Sequence, residues 1–472
     1  MAPAAFTPKD SVKSSAPVKY VVPPATVPVN GAGSLTFSNN QLIGTILAVP
    51  LIITLALGLA LPWYFAVLLV TALPTFAVYN VWFANIAAPV RVQKGLPGNK
   101  RDAYIKVTDA ALAAKFPTKI PMETFFEAYF DQKIELADDM MFVLEHRYEF
   151  INFVFTWGNA KFFLTQWIPE TLWHSKKQDE DQVREHYDRG DDFYNWFLGP
   201  RMIYTSGIIT DLTKPQTLEE LQDNKLNLVC DKINLKKGEK MLDIGCGWGT
   251  LSVHAAKRGA KVTGVTLGRN QTAWGMAKAA EAGVADNVRI LCMDYRDIPK
   301  EKYNKITCLE MAEHVGVRKF QEFLIQVREM LEDDGIFYLQ IAGLRRAWQY
   351  EDLIWGLFMA KYVFPGADAS APLNWVLEQC ERAGYEVAHT DTIGVHYSAT
   401  IYRWYLNWVQ NKEKVVSKYG VRWFRVWEIF LAWSSIIARQ GSATCYQIVL
   451  HKNLNEYERT QFISRRTNAS SY

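Results

Sequence analysis

The residues best placed to do chemistry cluster around position 245. Met241-Leu242-Asp243-Ile244 reads as a short apolar strand, and Gly245, Gly247 and Gly249 follow at once, with Cys246 and Trp248 between them. The next stretch, TLSVHAAKRG, has helical spacing. A glycine-rich turn from strand to helix lets backbone approach a ligand at the helix N-terminus. The pattern is GxGxG, shorter than the dinucleotide fingerprint. A dinucleotide site also wants an acid about 20 residues on for the ribose hydroxyls. Thr266 stands there instead, which counts against a nicotinamide cofactor. Asp243 at the strand end and Asp294 after a third strand suit a ligand carrying an adenosine and a positively charged amino acid. Cys246 reads as a small packing residue, because nothing beside it lowers its pKa.

These residues need a scaffold, and the pattern around them supplies one. A strand over 261–267 follows the first helix. A helix over 269–282, a strand over 288–293 and a strand over 305–310 come next. A helix over 318–332, stopped by Asp333-Asp334-Gly335, leads to a strand over 336–341. Alternating strands and helices predict an α/β fold with a doubly wound, mostly parallel sheet. Its ligands sit at the carboxyl ends of the strands.

Upstream, Met122 to Phe155 is apolar at helical spacing, so 90–185 is expected to be a helical linker or substrate-side region. Asp138, Asp139, Glu145 and His146 lie within it. No His pair at i, i+4 accompanies them, so a solvated helix face is expected and no metal site. Downstream, Trp423 to Ile437 places aromatics at helical spacing. Core packing is the first reading. A membrane-facing entrance for a lipid chain, flanked by Arg422, Arg425 and Arg439, is the second.

The chain has 472 residues, of which 49% are hydrophobic and 21% charged, with a net charge of +3. That balance excludes a nucleic-acid footprint. Yet Tyr20 to Val90, 71 residues, holds no Asp, Glu, Lys, Arg or His. At the chain's average it would hold about 15 charges. Two apolar runs, Leu42–Leu61 and Phe65–Ala88, flank Pro62-Trp63-Tyr64. Twenty residues of helix reach about 30 Å. Residues 41–89 are therefore expected to form a two-helix transmembrane hairpin, with a single span or a re-entrant hairpin as the alternative. Lys9, Lys13 and Lys19 before it, and Arg91, Lys94, Lys100 and Arg101 after it, put both ends in the cytosol. Residues 1–40 are expected to be a disordered tail and 453–472 a polar one. The six cysteines form no CxxC pair, so free thiols are expected.

Further stretches carry a family resemblance. They are His186-Tyr187-Asp188-Arg189-Gly190-Asp191-Asp192-Phe193-Tyr194, Leu242 to Gly249, Gly264-Val265-Thr266-Leu267 with Gln271, Glu313-His314-Val315-Gly316, Phe364-Pro365-Gly366 and His396-Tyr397. Over about residues 175–450 the chain resembles the cyclopropane-fatty-acyl-phospholipid synthase family of S-adenosylmethionine (SAM) enzymes. The expected hairpin and the aromatic C-terminus are similar to one branch, the fungal sphingolipid C9-methyltransferases. The resemblance implies a class I SAM-methyltransferase domain over 186–452. It implies SAM contacts at Tyr187, at Tyr204 and Thr205, and along the glycine turn from Met241 through Leu242, Asp243, Ile244, Gly245, Cys246, Gly247 and Trp248 to Gly249. Others fall at Thr266, Leu267, Gly268, Arg269, Asn270 and Gln271, and at Asp294, Tyr295 and Arg296. Glu313 and Tyr397 match its active-site residues.

There are two departures. The family's active-site Cys is Ser206 here, and its active-site His falls at Gln340. In bacterial members those positions help hold a bicarbonate that acts as base, so the two replacements put bicarbonate in doubt for this chain. The implied reaction is methylation at C9 of the Δ8 double bond in the sphingoid base of ceramide, destined for glucosylceramide. Alternatives are a cyclopropane-forming synthase on unsaturated phospholipid acyl chains, or a non-catalytic SAM-binding membrane protein. The implied place is a membrane of the endoplasmic reticulum or Golgi, with the catalytic domain cytosolic.

Overall fold

A computed structural model describes residues 15–26, 39–82, 96–167, 190–346, 350–365, 369–456 and 458–462. The chain divides into two compact units. One holds residues 25–172 and 346–363, and the other holds 1–24, 173–345 and 364–472.

The first unit begins with helix α1 (Asn39–Ala56) and helix α2 (Trp63–Trp82). The Tyr64 hydroxyl donates to the Leu47 carbonyl at 3.2 Å across the hairpin they form. One side of the pair is buried: Leu42 and Tyr79 pack with Phe155, Phe162 and Leu357, and Phe76 stacks on Phe163 at 4.8 Å. The other side is open, with Leu69 81% and Val70 74% exposed. Among the described residues, no helix is long and apolar enough to cross a membrane. The expected pair of transmembrane spans is thus not borne out among the described residues. Helix α1 spends its first turn on Asn39-Asn40-Gln41, and the chain turns at Gly58. Helix α2 reaches Tyr79-Asn80 after Val78. The apolar runs left, Leu42–Ala56 and Trp63–Val78, measure about 22 and 24 Å at 1.5 Å per residue, short of a hydrocarbon core of about 30 Å. Residues 83–88 of the expected second run lie outside the described residues.

The long helical stretch expected from Met122 is broken into helices Met122–Phe130, Met140–Glu145 and Arg147–Phe150, with a short strand, Ile134–Leu136, between the first two. Gln132 takes a positive φ of 62° and ends the first. Asp139 caps the second, accepting from the Phe142 N–H at 2.8 Å. Arg147 is fully buried and pairs with buried Glu351 at 2.6 Å. Removing one partner of such a pair strands the other charge. Glu351→Gln is expected to destabilise this unit by about 3 kcal/mol in urea unfolding.

The second unit is built on a seven-stranded sheet. Its strands are β1 (Lys240–Ile244), β2 (Lys261–Thr266), β3 (Val288–Cys292), β4 (Tyr303–Leu309), β5 (Leu331–Leu344), β6 (Tyr385–Thr392) and β7 (Ala443–Lys452). Their order across the sheet is β3-β2-β1-β4-β5-β7-β6. Strands β1 to β5 pair in parallel, and β7 runs antiparallel to both of its neighbours. Strand order reverses beside β1, which opens a crevice at the carboxyl ends of β1 and β4. The helices that matter below are α3 (Asp191–Leu198), α4 (Leu218–Lys232), α5 (Thr250–Lys257), α6 (Arg269–Glu281), α7 (Phe320–Met330), α8 (Gly394–Gln410) and α9 (Val421–Arg439). Helix α7 ends at Met330, earlier than expected, because Leu331 already has extended geometry and begins β5.

Helix α9 answers the question its aromatics posed. Trp427, Trp433 and Ile437 are fully buried, and Trp427 packs on Phe193, Phe197 and Trp408. It is core. Arg439 donates to the carbonyls of Pro23 and Pro24, and Arg403 to that of Val21. Ser15 and Ala16 bond Glu219 and Asn407. Residues 15–24 therefore dock on this unit. All six cysteines are free.

Candidate active site

A cavity opens at the carboxyl ends of β1, β2 and β4. Its floor is the glycine turn. Gly245 has φ 75°, Gly247 54° and Gly249 74°, left-handed values that suit glycine. A Cβ on Gly245 would lie 2.5 Å from Met311 Cβ, and one on Gly249 2.6 Å from Ile290 Cδ1. A Cβ on Gly247 would meet nothing within 4 Å. There the open space belongs to a ligand that backbone can approach. Gly249 precedes α5, so the helix N-terminus points at the same space.

Two carboxylates flank this floor. Asp243 is buried and accepts from Ser252 Oγ and Thr307 Oγ1, at 2.8 and 2.9 Å. Burial raises its pKa, and those two bonds oppose the rise. Asp294 caps a short turn and holds Arg296 bidentately at 2.7 and 2.8 Å. Thr266 Oγ1 donates to Gln271 Oε1 at 2.6 Å, which fixes the amide of α6 beside the cavity. The Trp248 indole donates to Asp191 Oδ1 at 2.8 Å, anchoring the turn to α3. A cationic amino acid and an adenosine have carboxylates, amides and a glycine cradle to meet here. The residues present fit SAM.

Of the expected contacts, Tyr204, Thr205, Asp243 to Trp248, Thr266, Leu267, Gln271 and Asp294 to Arg296 line the cavity. Met241 and Leu242 are strand core, fully buried. Gly249 shapes the turn. Gly268, Arg269 and Asn270 form the start of α6. Tyr187 lies outside the described residues.

Three of the four expected catalytic residues, Ser206, Gln340 and Tyr397, converge on a group that was not expected. Ser206 N–H donates to Glu310 Oε1 at 3.2 Å, and Gln340 Nε2 donates to the same oxygen at 2.6 Å. The Tyr397 hydroxyl donates to Glu310 Oε2 at 2.5 Å. The Cys445 thiol, on β7, reaches Oε1 at 3.6 Å. Glu310 lines the cavity just past the end of β4. Burial raises its pKa, opposed first by the Tyr397 and Gln340 bonds. Glu313 stands elsewhere. Its Oε1 accepts from Ala342 N–H at 2.5 Å, its Oε2 accepts no hydrogen bond among the described residues, and it does not line the cavity. Burial, with the charge of Glu310 second, pushes its pKa up to about 8.

Lys225 is the other addition. It lines the cavity from α4 and donates to Thr205 Oγ1 at 2.6 Å. Burial pulls it down to about 8, against the attraction of Glu310 and Asp243. Both residues left a trace in the sequence. Glu310 is an acid directly after the apolar run Ile306 to Leu309. Lys225 falls at i+4 from Leu221 and i−4 from Val229, on the buried face of its helix.

The strand order, the glycine turn after β1, the acid near the end of β1 and the acid after β3 define a class I SAM-dependent methyltransferase. The mycolic acid cyclopropane synthetase family model matches residues 174–448, and the chain belongs to that family. A sphingolipid C9-methyltransferase of Komagataella phaffii is 54% identical, covering 93% of this chain and 92% of that protein. One from Candida albicans is 51% identical, covering 93% and 88%. Among solved structures, the cyclopropane synthase MmaA2 from Mycobacterium tuberculosis is similar with a TM-score of 0.55 and 25% identity, over 58% of this chain and 98% of that one.

Two outcomes follow. Gly245→Ala drives a Cβ into Met311 and should weaken SAM binding at least about tenfold by calorimetry, since the cradle must shift. Glu313 binds its proton more tightly in the folded chain than in the unfolded one, so stability falls as pH rises from the ordinary 4.5 through about 8. Glu313→Gln removes that dependence. Unfolding at pH 5 and pH 8 should show wild type losing a few kcal/mol relative to the variant, at about 1.36 kcal/mol per pKa unit. Parallel profiles would contradict it.

Proposed function

We propose that this enzyme transfers the methyl group of SAM to C9 of the Δ8 double bond of a ceramide sphingoid base, before glucosylceramide is made. The observation that carries this reading is the 54% identity, over nearly the full length of both chains, to a protein named for that reaction. Neither a cyclopropane-forming activity on phospholipids nor a non-catalytic role has comparable support.

The chemistry asks for what the site offers. SAM supplies an electrophilic methyl on a positively charged sulfur. An isolated alkene has only π electrons to attack with, so it must be held in line and kept dry. The positive charge that appears on the neighbouring carbon needs stabilising without a nucleophile that would trap it. Tyr204 packs against Tyr194, Phe197, Phe364 and Trp404, and Tyr397 lies edge-on to Trp404. These rings exclude water near Glu310, and aromatic faces attract cations.

The lipid reading extends to α1 and α2. Their exposed side carries Ile52, Leu55, Leu69 and Val70, with no charge in either helix. A continuous apolar surface of this kind on a water-exposed protein is costly. It is suited to insertion into one leaflet, which brings the enzyme to a substrate that does not leave the bilayer. An endoplasmic reticulum or Golgi membrane, with the catalytic unit in the cytosol where SAM is made, fits this arrangement.

Two experiments address this. Lipid mass spectrometry of cells lacking the gene should show unmethylated sphingadienine in glucosylceramide; an unchanged methylated pool would contradict the assignment. The purified chain should float with phosphatidylcholine–ceramide vesicles, and the double substitution Leu69→Asp, Val70→Asp should cut the floating fraction several-fold. Equal flotation would remove the hairpin from membrane binding.

A further inference from the structure

The backbone of Glu310 is held at φ 55°, in the left-handed region that favours glycine. The chain keeps a carboxylate there despite the conformational cost. The groups around it are donors: the Ser206 N–H, the Gln340 amide, the Tyr397 hydroxyl and the Cys445 thiol.

The polarity of the Gln340 amide is set from a distance. Lys232 Nζ has protons only to give, and it donates to Gln447 Oε1 at 3.0 Å. Gln447 Nε2 must then face Gln340 Oε1, which it does at 3.1 Å. That leaves Gln340 Nε2 to donate to Glu310. The relay Lys232–Gln447–Gln340 therefore specifies an acceptor at its inner end, and Gln447 and Gln340 are positioning residues for it.

We propose that Glu310 is the base of the methyl transfer, a carboxylate built into the chain where an external anion would otherwise be required. This rests on the alkene-methylation reading above. The π pair of C8=C9 forms the C9–CH₃ bond while the bond from that methyl to sulfur breaks, its electron pair staying on sulfur. Positive charge then sits on C8. The C9–H bond breaks, its pair closes C8=C9 again, and the proton goes to a Glu310 oxygen. The proton is returned to water when the products leave. A hydrogen beside a carbocation is strongly acidic, so an ordinary carboxylate is base enough. The raised pKa of Glu310 favours its holding the proton until release.

The test uses the full chain with Δ8-unsaturated ceramide in phosphatidylcholine vesicles, and compares Glu310→Gln and Glu310→Gly. Glycine suits this backbone, so the second variant should fold. Both should bind SAM within about threefold of wild type by calorimetry, while turnover falls at least about 100-fold. Formate should restore Glu310→Gly at least about tenfold by filling the vacated donor cradle, and should leave Glu310→Gln unrescued. Wild-type turnover should be unchanged when bicarbonate is stripped from the buffer. The proposal is overturned if Glu310→Gly keeps more than about a fifth of wild-type turnover, or if wild type needs added bicarbonate. It is also overturned if both variants lose SAM binding more than about tenfold, which would make Glu310 an anchor of the fold. A wild-type chain that binds SAM yet leaves this ceramide unmethylated would instead sink the reading on which the proposal rests.

Discussion

Burying the Glu310 carboxylate costs free energy unless its lone pairs are filled, and the arrangement of the catalytic unit follows from how they are filled. The donors come from four places in the chain: a loop before α4, the strands β5 and β7, and helix α8. Gln340 arrives through the parallel pairing of β5 with β4, Cys445 only because β7 runs antiparallel beside β5, and Tyr397 only because α8 returns over the strand ends. The order that opens a crevice beside β1 also sets β7 next to β5, which closes a donor cage at the end of β4. Cofactor cradle and carboxylate cage are two products of one sheet order.

The two acids near β4 do different work because their surroundings differ. Glu310 faces the cavity and is held by several donors, which favour its charged form. Glu313 has one backbone donor, a second oxygen without a partner among the described residues, and a neighbouring negative charge. Two carboxyls so close resist ionising together. Burial raises both, but the donors oppose the rise at Glu310, while at Glu313 the charge of its neighbour adds to it and the proton is kept to about pH 8.

Much of the cofactor half was legible in the sequence because its signals are local. A strand, three glycines and a helix follow one another without interruption, and periodicity alone places them. The acid Asp294 and the Thr266–Gln271 pair likewise sit at fixed offsets from strands. The carboxylate cage was harder because its parts are far apart in sequence. Ser206, Gln340, Tyr397 and Cys445 say nothing about one another until β7 is placed beside β5. The motif points to Glu313, three residues past the carboxylate that faces the cavity. The reading of residues 41–89 as two spans rests on composition alone. Composition shows a long window without charge, but the first helix inside it opens on Asn39 and Asn40 and ends at Ala56, and the second reaches Tyr79-Asn80 before it ends at Trp82. The apolar length is a property of the helix, not of the uncharged window.

The central claim is that the proton leaves C9 and never the new methyl group. The direct measurement is mass spectrometry of the product formed with SAM whose transferable methyl carries three deuterons. The account predicts a methyl-branched sphingoid base that keeps all three and still contains the C8=C9 double bond. A product that retains only two, with a ring in place of the double bond, would contradict it.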